Sequence, residues 1–265
     1  MPERGRGLGV AAGLDDDVAA ELARRCEGYG YRSMWSNDHP GASGLETAAF
    51  FHEAAPLQVG VAVLPLDRHT PDEIAAHADE QGLEPGRLWV GIGTGFTKRP
   101  LQVMRDGLAE LRDVLPAPAR VVVAAMGPKM CALAGAEADG VFLNWPTPEW
   151  AKWARERVHE GAREAGRDEA PPIFAYVRVA VGDDAAERLL KEESFYRQLH
   201  AGYINHFEAI GAEPGTVGIA VREPGMAQEL LAPYEESIDH VVVRALASAN
   251  VESLGAVAEA AAPGA

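Results

Sequence analysis

The sequence predicts a (β/α)8 barrel, and three observations carry that prediction. Eight short apolar runs alternate with amphipathic stretches along the 265 residues. Most of the runs are continuously apolar, as expected for strands that are buried on both faces of a parallel sheet. A length of about 250 residues is typical of a single barrel of this kind. We therefore expect one barrel domain over residues 1–265, with a doubly wound open sheet as the alternative.

The eight predicted strands leave room for a helix after each of them. They cover residues 8–12, 31–35, 59–64, 88–92, 121–125, 141–143, 173–181 and 238–243. The stretches between them place apolar residues three or four positions apart, as Val18, Leu22, Cys26 and Tyr29 do in the first. This spacing puts apolar side chains on one face of a helix that packs against the sheet.

Local signals refine several helices. Thr70-Pro71 and Thr147-Pro148 each combine an N-cap residue with proline at the first helical position, which predicts a helix start. The longest helical stretch covers residues 184–210. Residues 211–224 are rich in Gly, Pro and Glu and predict a mobile loop. Residues 251–265 predict a last helix and a frayed tail.

The composition excludes several classes of protein. Hydrophobic residues make up 47% and charged residues 24%, which suits a globular chain with a sizeable core. The formal net charge is −16, and so negative a surface repels nucleic acid and anionic lipid. No apolar run is long enough for a membrane span or a signal peptide. Cys26 and Cys131 lie in apolar surroundings and predict buried thiols in a reducing compartment, so we expect a cytoplasmic protein.

Function in a barrel concentrates at the carboxyl ends of the strands. Small, polar and aromatic residues stand at these ends: Asp38 and His39 after the second strand, Gly93, Thr94, Gly95 and Phe96 after the fourth, Ala125, Met126, Gly127, Pro128 and Lys129 after the fifth, and Asn144 and Trp145 after the sixth. Such a collection at one end of a fold is what a ligand site needs.

Two of these ends suit a flat or anionic ligand. Gly127-Pro128 starts a helix directly after a strand, so that free N–H groups can hold a phosphate, and Lys129 adds a positive charge. The glycines between Gly91 and Gly95 leave space in which a planar ring can lie against the backbone. The alternatives are a tight strand-to-helix turn in the first case and barrel packing in the second.

Adjacent acidic and imidazole groups suggest proton chemistry. Asp38-His39 can bind a polar ring edge or relay a proton near neutral pH, although a solvated loop is the alternative. Arg68-His69 can bind an acidic group or serve as a surface cap. No complete dinucleotide, P-loop, zinc-protease or serine-hydrolase motif is present, and the eight His residues are too scattered for a metal site.

Several segments together resemble the luciferase-like flavin and deazaflavin oxidoreductases. The resemblance is carried by residues 33–40, 61–71, 87–95, 122–130 and 138–145, and it covers nearly the whole chain in order. It implies a TIM barrel that binds coenzyme F420, a deazaflavin, or FMN at its mouth. A homodimer is also implied.

The same resemblance implies roles for individual residues. Asp38 and His39 would lie near the cofactor ring, and a non-prolyl cis peptide near Val61 and Ala62 would back it. The ring and phosphate would contact the turns formed by Gly93, Thr94 and Gly95 and by Ala125, Met126, Gly127, Pro128 and Lys129. Asp38 and His39 would be catalytic.

The sequence departs from the family pattern in two ways. The connection from the fourth to the fifth strand is short, and the usual insertion there is absent. Phe96 stands where some deazaflavin enzymes carry an acid. Trp35, Phe96, Asn144 and Trp145 instead suggest an apolar substrate wall, with plain packing as the alternative.

The resulting hypothesis is an F420-dependent oxidoreductase that transfers a hydride between the deazaflavin and a small organic substrate. The alternatives are an FMN-dependent monooxygenase of the same fold and a non-catalytic flavin-binding barrel.

Overall fold

The computed structural model describes residues 4–263. The strands are β1 Gly5–Val10, β2 Ser33–Ser36, β3 Gln58–Pro65, β4 Leu88–Gly93, β5 Arg120–Ala125, β6 Gly140–Asn144, β7 Ile173–Val181, β8 Ile219–Val221 and β9 His240–Ala245. The helices are α1 Asp16–Gly28, α2 Gly44–Ala54, α3 Pro71–Glu80, α4 Pro100–Val114, α5 Pro128–Glu137, α6 Pro148–Glu164, α7 Ala185–Leu199, α8 Ala201–Ile210, α9 Met226–Glu235 and α10 Val251–Ala260.

Eight of these strands close into a parallel barrel. They follow the order β6-β5-β4-β3-β2-β1-β9-β7, and β6 pairs with β7 to complete the ring. All of the pairings are parallel, so the carboxyl ends of the strands share one end of the barrel. The predicted (β/α)8 barrel is therefore confirmed, and the open-sheet alternative is wrong.

The helix starts follow the capping residues in the sequence. Thr70 accepts a hydrogen bond from the backbone N–H of Glu73, whose side chain bonds back to Thr70, which completes a capping box. Thr147 accepts from the backbone N–H of Trp150 at the start of α6. In both helices proline occupies the first turn, where a missing N–H costs nothing.

The chain departs from the barrel repeat between β7 and β9. The helical stretch predicted over residues 184–210 is two helices, because His200 is extended (φ −165°, ψ 166°) and its ring accepts from the N–H of Gly202 to cap α8. The loop predicted over residues 211–224 contains β8, which the sequence pattern missed. This short strand pairs with the end of β7 beyond the part that β6 covers.

The barrel has two layers of core, and a third buried cluster packs against α7 and α8. Branched and small side chains fill the space between the strands and the outer helices. The inside of the barrel is filled by a second cluster, which comprises Trp35, Ala62, Trp89, Val122, Phe142, Phe174, Tyr176 and Val242. This cluster fills the inside of the barrel below the mouth. Over residues 4–263, no helix is both long and apolar enough to cross a membrane.

Candidate active site at the barrel mouth

The loops that leave β2, β3 and β4 are joined to one another at the mouth. Arg68 and His69, which follow β3, both contact Asp38, which follows β2. Asp67 accepts a hydrogen bond from the backbone N–H of Phe96, which follows β4, at 2.8 Å. These contacts bring the predicted turns at Asp38 and Gly93 into one site.

Asp38 is the centre of a dense hydrogen-bond junction. Its Oδ2 atom accepts from Nη2 of Arg68 at 2.7 Å and lies 2.9 Å from Nε2 of His69. Its Oδ1 atom accepts from the N–H of Gly44 at the start of α2, at 3.1 Å. Only 5% of the side chain is exposed. The carboxylate is thus fixed, and its charge is balanced by residues of the next loop.

His39 does not pair with Asp38. The Nδ1 atom of its ring accepts from the N–H of Gly41 at 3.1 Å, within its own loop. Because Nδ1 is an acceptor, a neutral ring carries its proton on Nε2. The histidine that pairs with the carboxylate is His69, from the segment for which the sequence left binding and capping roles open.

A non-prolyl cis peptide lies on β3, as the resemblance implied. It joins Ala62 to Val63, one residue later than expected, and the β3–β4 register shifts between Val61 and Leu64. Gly91 on β4 faces this bulge, since a Cβ atom there would lie 2.2 Å from the carbonyl oxygen of Val61. Glycine at this position lets the two strands approach.

The turn after β4 presents Phe96 to solvent. Gly95 has φ +60°, and a Cβ atom at Gly95 would lie 1.8 Å from the carboxylate of Asp67. The hydrogen bond between Asp67 and the N–H of Phe96 therefore depends on glycine at the preceding residue. The side chain of Phe96 is 74% exposed, and its ring lies 5.1 Å from that of His200.

The turn after β5 opens into a basic groove. Gly127 is the N-cap of α5, no side chain caps that helix, and nothing lies within 4 Å of the position of a Cβ at Gly127. The groove has a volume of about 700 Å3 and runs between the starts of α4 and α5. Its polar lining includes Arg99, Gln102, Arg105 and Lys129. The sequence pattern identified Lys129 but missed the two arginines, which belong to the start of α4.

Helices α7 and α8 cover the other side of the mouth. The side-chain amide of Asn144 donates to the hydroxyl of Tyr203 at 2.8 Å, and the ring of Trp145 packs on that of Tyr196 at 5.3 Å. A Cβ atom at Gly202 would lie 3.9 Å from the methyl group of Met126. This insertion after β7 supplies cover that the short connection after β4 does not provide.

The four residues assigned to a substrate wall occupy different environments. Trp35 is completely buried, and its indole N–H donates to Ser33 inside the barrel. Trp145 is buried beneath α7 and α8. Asn144 is half-buried at the mouth, and Phe96 is exposed above it. The structure thus brings Phe96 and Asn144 to the mouth and places the two tryptophans among packed side chains.

Tyr176 on β7 forms the floor of the mouth. Its ring packs against Phe142 at 4.7 Å, and its hydroxyl donates to the carbonyl oxygen of Ser36 on β2 at 3.0 Å. Burial raises the pKa of Tyr176, so the phenol stays neutral. Two arginines flank this ring, Arg178 from β7 and Arg244 from β9. Arg244 directly follows the last predicted strand, at residues 238–243, whereas Arg178 lies inside the predicted strand at residues 173–181 and gave no signal.

Comparison with known proteins adds three kinds of similarity. The sequence model of a family described as luciferase-like monooxygenase matches residues 107–259. A 5,10-methylenetetrahydromethanopterin reductase of Methanolobus tindarius is 24% identical over 205 residues, which are 63% of this chain and 63% of that protein. The similarity therefore spans less than two thirds of the relative's length.

Solved structures share the fold over nearly the whole chain. An F420-dependent secondary alcohol dehydrogenase in complex with an F420-acetone adduct has a TM-score of 0.76 at 17% identity, covering 98% of each chain. The coenzyme F420 dependent tetrahydromethanopterin reductase of Methanopyrus kandleri has a TM-score of 0.70 at 17% sequence identity. The match covers 97% of this chain and 98% of that protein. A third structure is the oxygenating constituent of the 3,6-diketocamphane monooxygenase of Pseudomonas putida, in complex with FMN. Its TM-score is 0.65 at 16% sequence identity, and the match covers 98% of each chain.

Proposed function

Because this chain belongs to the luciferase-like monooxygenase family, we propose that it is an oxidoreductase that uses coenzyme F420 with a small organic substrate. When bound, the deazaflavin supplies hydride transfer, and the protein supplies orientation and electrostatics. The similarity to two F420-dependent enzymes over almost the full chain supports this choice.

The observation that carries the proposal is the basic groove beside Gly127. A deazaflavin coenzyme and FMN both carry an anionic tail, but the tail of F420 is longer than the single phosphate of FMN. The groove is lined by Gly127, Arg99 and Lys129, and the side chains of Arg99 and Lys129 form no ion pair with residues 4–263. Arg105, which also lines it, pairs with Glu137 at 3.1 Å. A groove with free cations beyond the helix start suits a long anionic tail.

The residues present fit such a cofactor at the ring end as well. The ring would rest on the mouth face formed by Ala62, Gly93, Thr94, Gly95 and Met126. The side chains of Val61 and Ala125, which the sequence also assigned to the cofactor, pack in the layer between the strands and the outer helices, so only their backbone could contact the ring. The phosphate end would meet Gly127, Pro128 and Lys129, where the first turn of α5 has N–H groups without a side-chain cap. The open space over Gly127 is what the close approach of a phosphate requires.

We assign different tasks to the residues after β2. Asp38 acts as a positioning residue, because its carboxylate is already bonded to Arg68, His69 and Gly44. His39 holds or moves a proton at Nε2, since Nδ1 is occupied by the N–H of Gly41.

The substrate wall is assigned to the residues that reach the mouth. Phe96 forms an exposed apolar wall, and Asn144 forms a polar edge. Trp35 is left out of this wall because it lies inside the barrel, and Trp145 supports the wall from below.

The proposal is tested by titrating the purified protein with oxidised F420 and separately with FMN, following coenzyme fluorescence. We expect saturable binding of F420 in the micromolar range and much weaker binding of FMN. Reduction of bound F420 by secondary alcohols, without oxygen uptake, would support an F420 oxidoreductase. Micromolar binding of FMN alone together with oxygen consumption would overturn it in favour of a flavin monooxygenase.

Assembly as a homodimer is part of the proposal. Helices α7 and α8 expose the apolar side chains of Leu190, Phe195, Leu199 and Ile204, which supports contact with a second copy. Light scattering after size exclusion should give the mass of a dimer, and Phe195→Asp should shift it toward the monomer. A cytoplasmic location and the lack of nucleic-acid and membrane partners stay predictions.

A further inference from the structure

Two arginines stand side by side on the floor of the mouth. Arg178 and Arg244 are paired in the parallel register of β7 and β9. Their neighbours two residues earlier, Tyr176 and Val242, point into the barrel. Side chains alternate along a strand, so both arginines point to the same interior. Their guanidinium carbons lie 5.7 and 5.8 Å from the centre of the Tyr176 ring.

Neither guanidinium has an acidic partner within residues 4–263. Arg178 donates through Nη1 to the side-chain oxygen of Asn144 and stacks on the ring of Trp145 at 3.7 Å. Its Nε atom is buried and forms no hydrogen bond in the described part of the chain. The guanidinium of Arg244 forms neither a hydrogen bond nor an ion pair with any residue from 4 to 263; its contact is the ring of Tyr176.

This arrangement is unfavourable for the protein alone. Arg178 is 2% exposed, and burying a cation without a counter-charge costs free energy. Arg244 is 9% exposed, and none of its nitrogen atoms is both buried and without a hydrogen bond among residues 4–263. Burial, together with the charge of Arg244, lowers the pKa of Arg178. Glu192 on α7 acts in the opposite direction but forms no ion pair with it among the described residues. An anion between the two guanidinium groups would remove this cost.

We propose that Arg178 and Arg244 bind an oxyanion of the substrate, such as a carboxylate, sulfonate or phosphate. This inference rests on the proposed function in that it takes the mouth as the substrate site. The pair belongs to β7 and β9, whereas the groove assigned to the cofactor tail adjoins β5, and β6 lies between β5 and β7. Two planar donor groups at neighbouring strand positions match the geometry of an oxyanion with several acceptor oxygens.

The test compares two aromatic anions with a neutral aromatic amide. The full-length protein is titrated with benzoate and with phenylphosphonate, and benzamide is the neutral probe. Binding is followed by NMR of the arginine Nε–H groups, with the signal of Arg178 assigned from Arg178→Lys. We expect saturable shifts of the Arg178 signal with at least one anion and none with benzamide. Absence of a shift with both anions would overturn the inference.

A matched pair of variants separates binding from folding. Arg244→Gln should weaken anion binding at least tenfold, because a charge-assisted hydrogen bond is lost. Arg222→Gln makes the same charge change in an exposed ion pair with Asp183 and should leave binding unchanged. Arg244→Gln should also leave Tm unchanged or raise it, since no hydrogen bond or ion pair to residues 4–263 is lost. A lowered Tm with unchanged anion affinity would show a structural role and overturn the inference.

Titration of F420 on the same samples keeps the two proposals distinct. Unchanged F420 affinity in Arg244→Gln, with loss of anion binding, supports the substrate subsite. If the anions compete with F420, the arginines belong to the cofactor site and the inference fails. If the anions bind and F420 does not, the proposed function fails and the oxyanion site stands.

Discussion

Asp38 and His69 are joined through Oδ2 and Nε2 at 2.9 Å although 31 positions separate them in the sequence. The contact ties the loop after β2 to the loop after β3 at the barrel mouth. Arg68 reinforces it from the neighbouring position. The mouth is therefore held by a charged junction beneath the loops that we assign to the cofactor.

Replacing Asp38 by Asn should weaken both the fold and the site. The change removes the carboxylate charge that both Arg68 and His69 contact, and we expect a loss of about 1–3 kcal/mol in the free energy of unfolding. Urea unfolding measures this free energy. Asp183→Asn, in an exposed ion pair with Arg222, is the matched control and should cost less than about 1 kcal/mol. Equal losses of free energy of unfolding in the two variants would show that the contacts of Asp38 stabilise the fold no more than an exposed ion pair does.

Gly95→Ala should disrupt the turn that presents Phe96. The new Cβ atom would meet the carboxylate of Asp67, and the hydrogen bond to the N–H of Phe96 would be lost. Gly82 has a similar φ of +65° but nothing within 4 Å of a Cβ, so Gly82→Ala carries the backbone cost alone. We expect the first variant to be less stable than the second by about 1 kcal/mol in urea unfolding. Equal free energies of unfolding in the two variants would show that the side chain of Asp67 moves aside without cost.

The double variant Arg99→Gln and Lys129→Gln should distinguish the two cofactors. Both side chains line the groove assigned to the long tail, so F420 affinity should fall at least tenfold while weak FMN binding changes less. Fluorescence titration gives both affinities. Lys152→Gln, at an exposed position on α6, is the control and should leave both affinities unchanged. Unaltered F420 affinity in the double variant would show that the groove does not bind the cofactor tail.

His240 should make stability depend on pH. Burial is the main cause that lowers its pKa from 6.5 to about 4, so the folded chain keeps it neutral where the unfolded chain is protonated. Stability from this group is complete above pH 6.5, falls as the pH drops toward about 4, and then levels off. The total is about 3 kcal/mol at most. The free energy of unfolding should change less with pH across this range in His240→Gln than in the control His77→Gln, a half-buried position on α3 that contacts Glu46. Equal pH dependence in the two variants would contradict the assignment.

The barrel was predictable because each strand leaves a strong local signal. Continuous apolar runs such as that at residues 121–125 identify strands covered on both sides, and all eight barrel strands were recognised. The three residues of β8 are too few for such a signal, and their pairing depends on how far β7 extends past β6. The break at His200 was missed because the apolar spacing continues through it.

The site was predictable by position but not by pairing. The expected turns lie at one end of the barrel because the strands are parallel, and strand direction alone decides at which end a turn lies. Asp38 and His39 are adjacent in the sequence, which suggested that they form a pair. Their side chains point apart, and the histidine that contacts Asp38 comes from the next loop. Trp35 and Phe96 are both aromatic, yet one lies in the interior cluster and the other is exposed, because strand alternation and turn geometry decide burial.

A crystal structure of the protein with bound F420 tests the central claim most directly. We expect the deazaflavin ring at the mouth against the Ala62–Val63 peptide, with its tail passing Gly127 into the groove beside Lys129. Density for F420 at the opposite end of the barrel, or a mouth without F420 in crystals grown at saturating coenzyme, would contradict it.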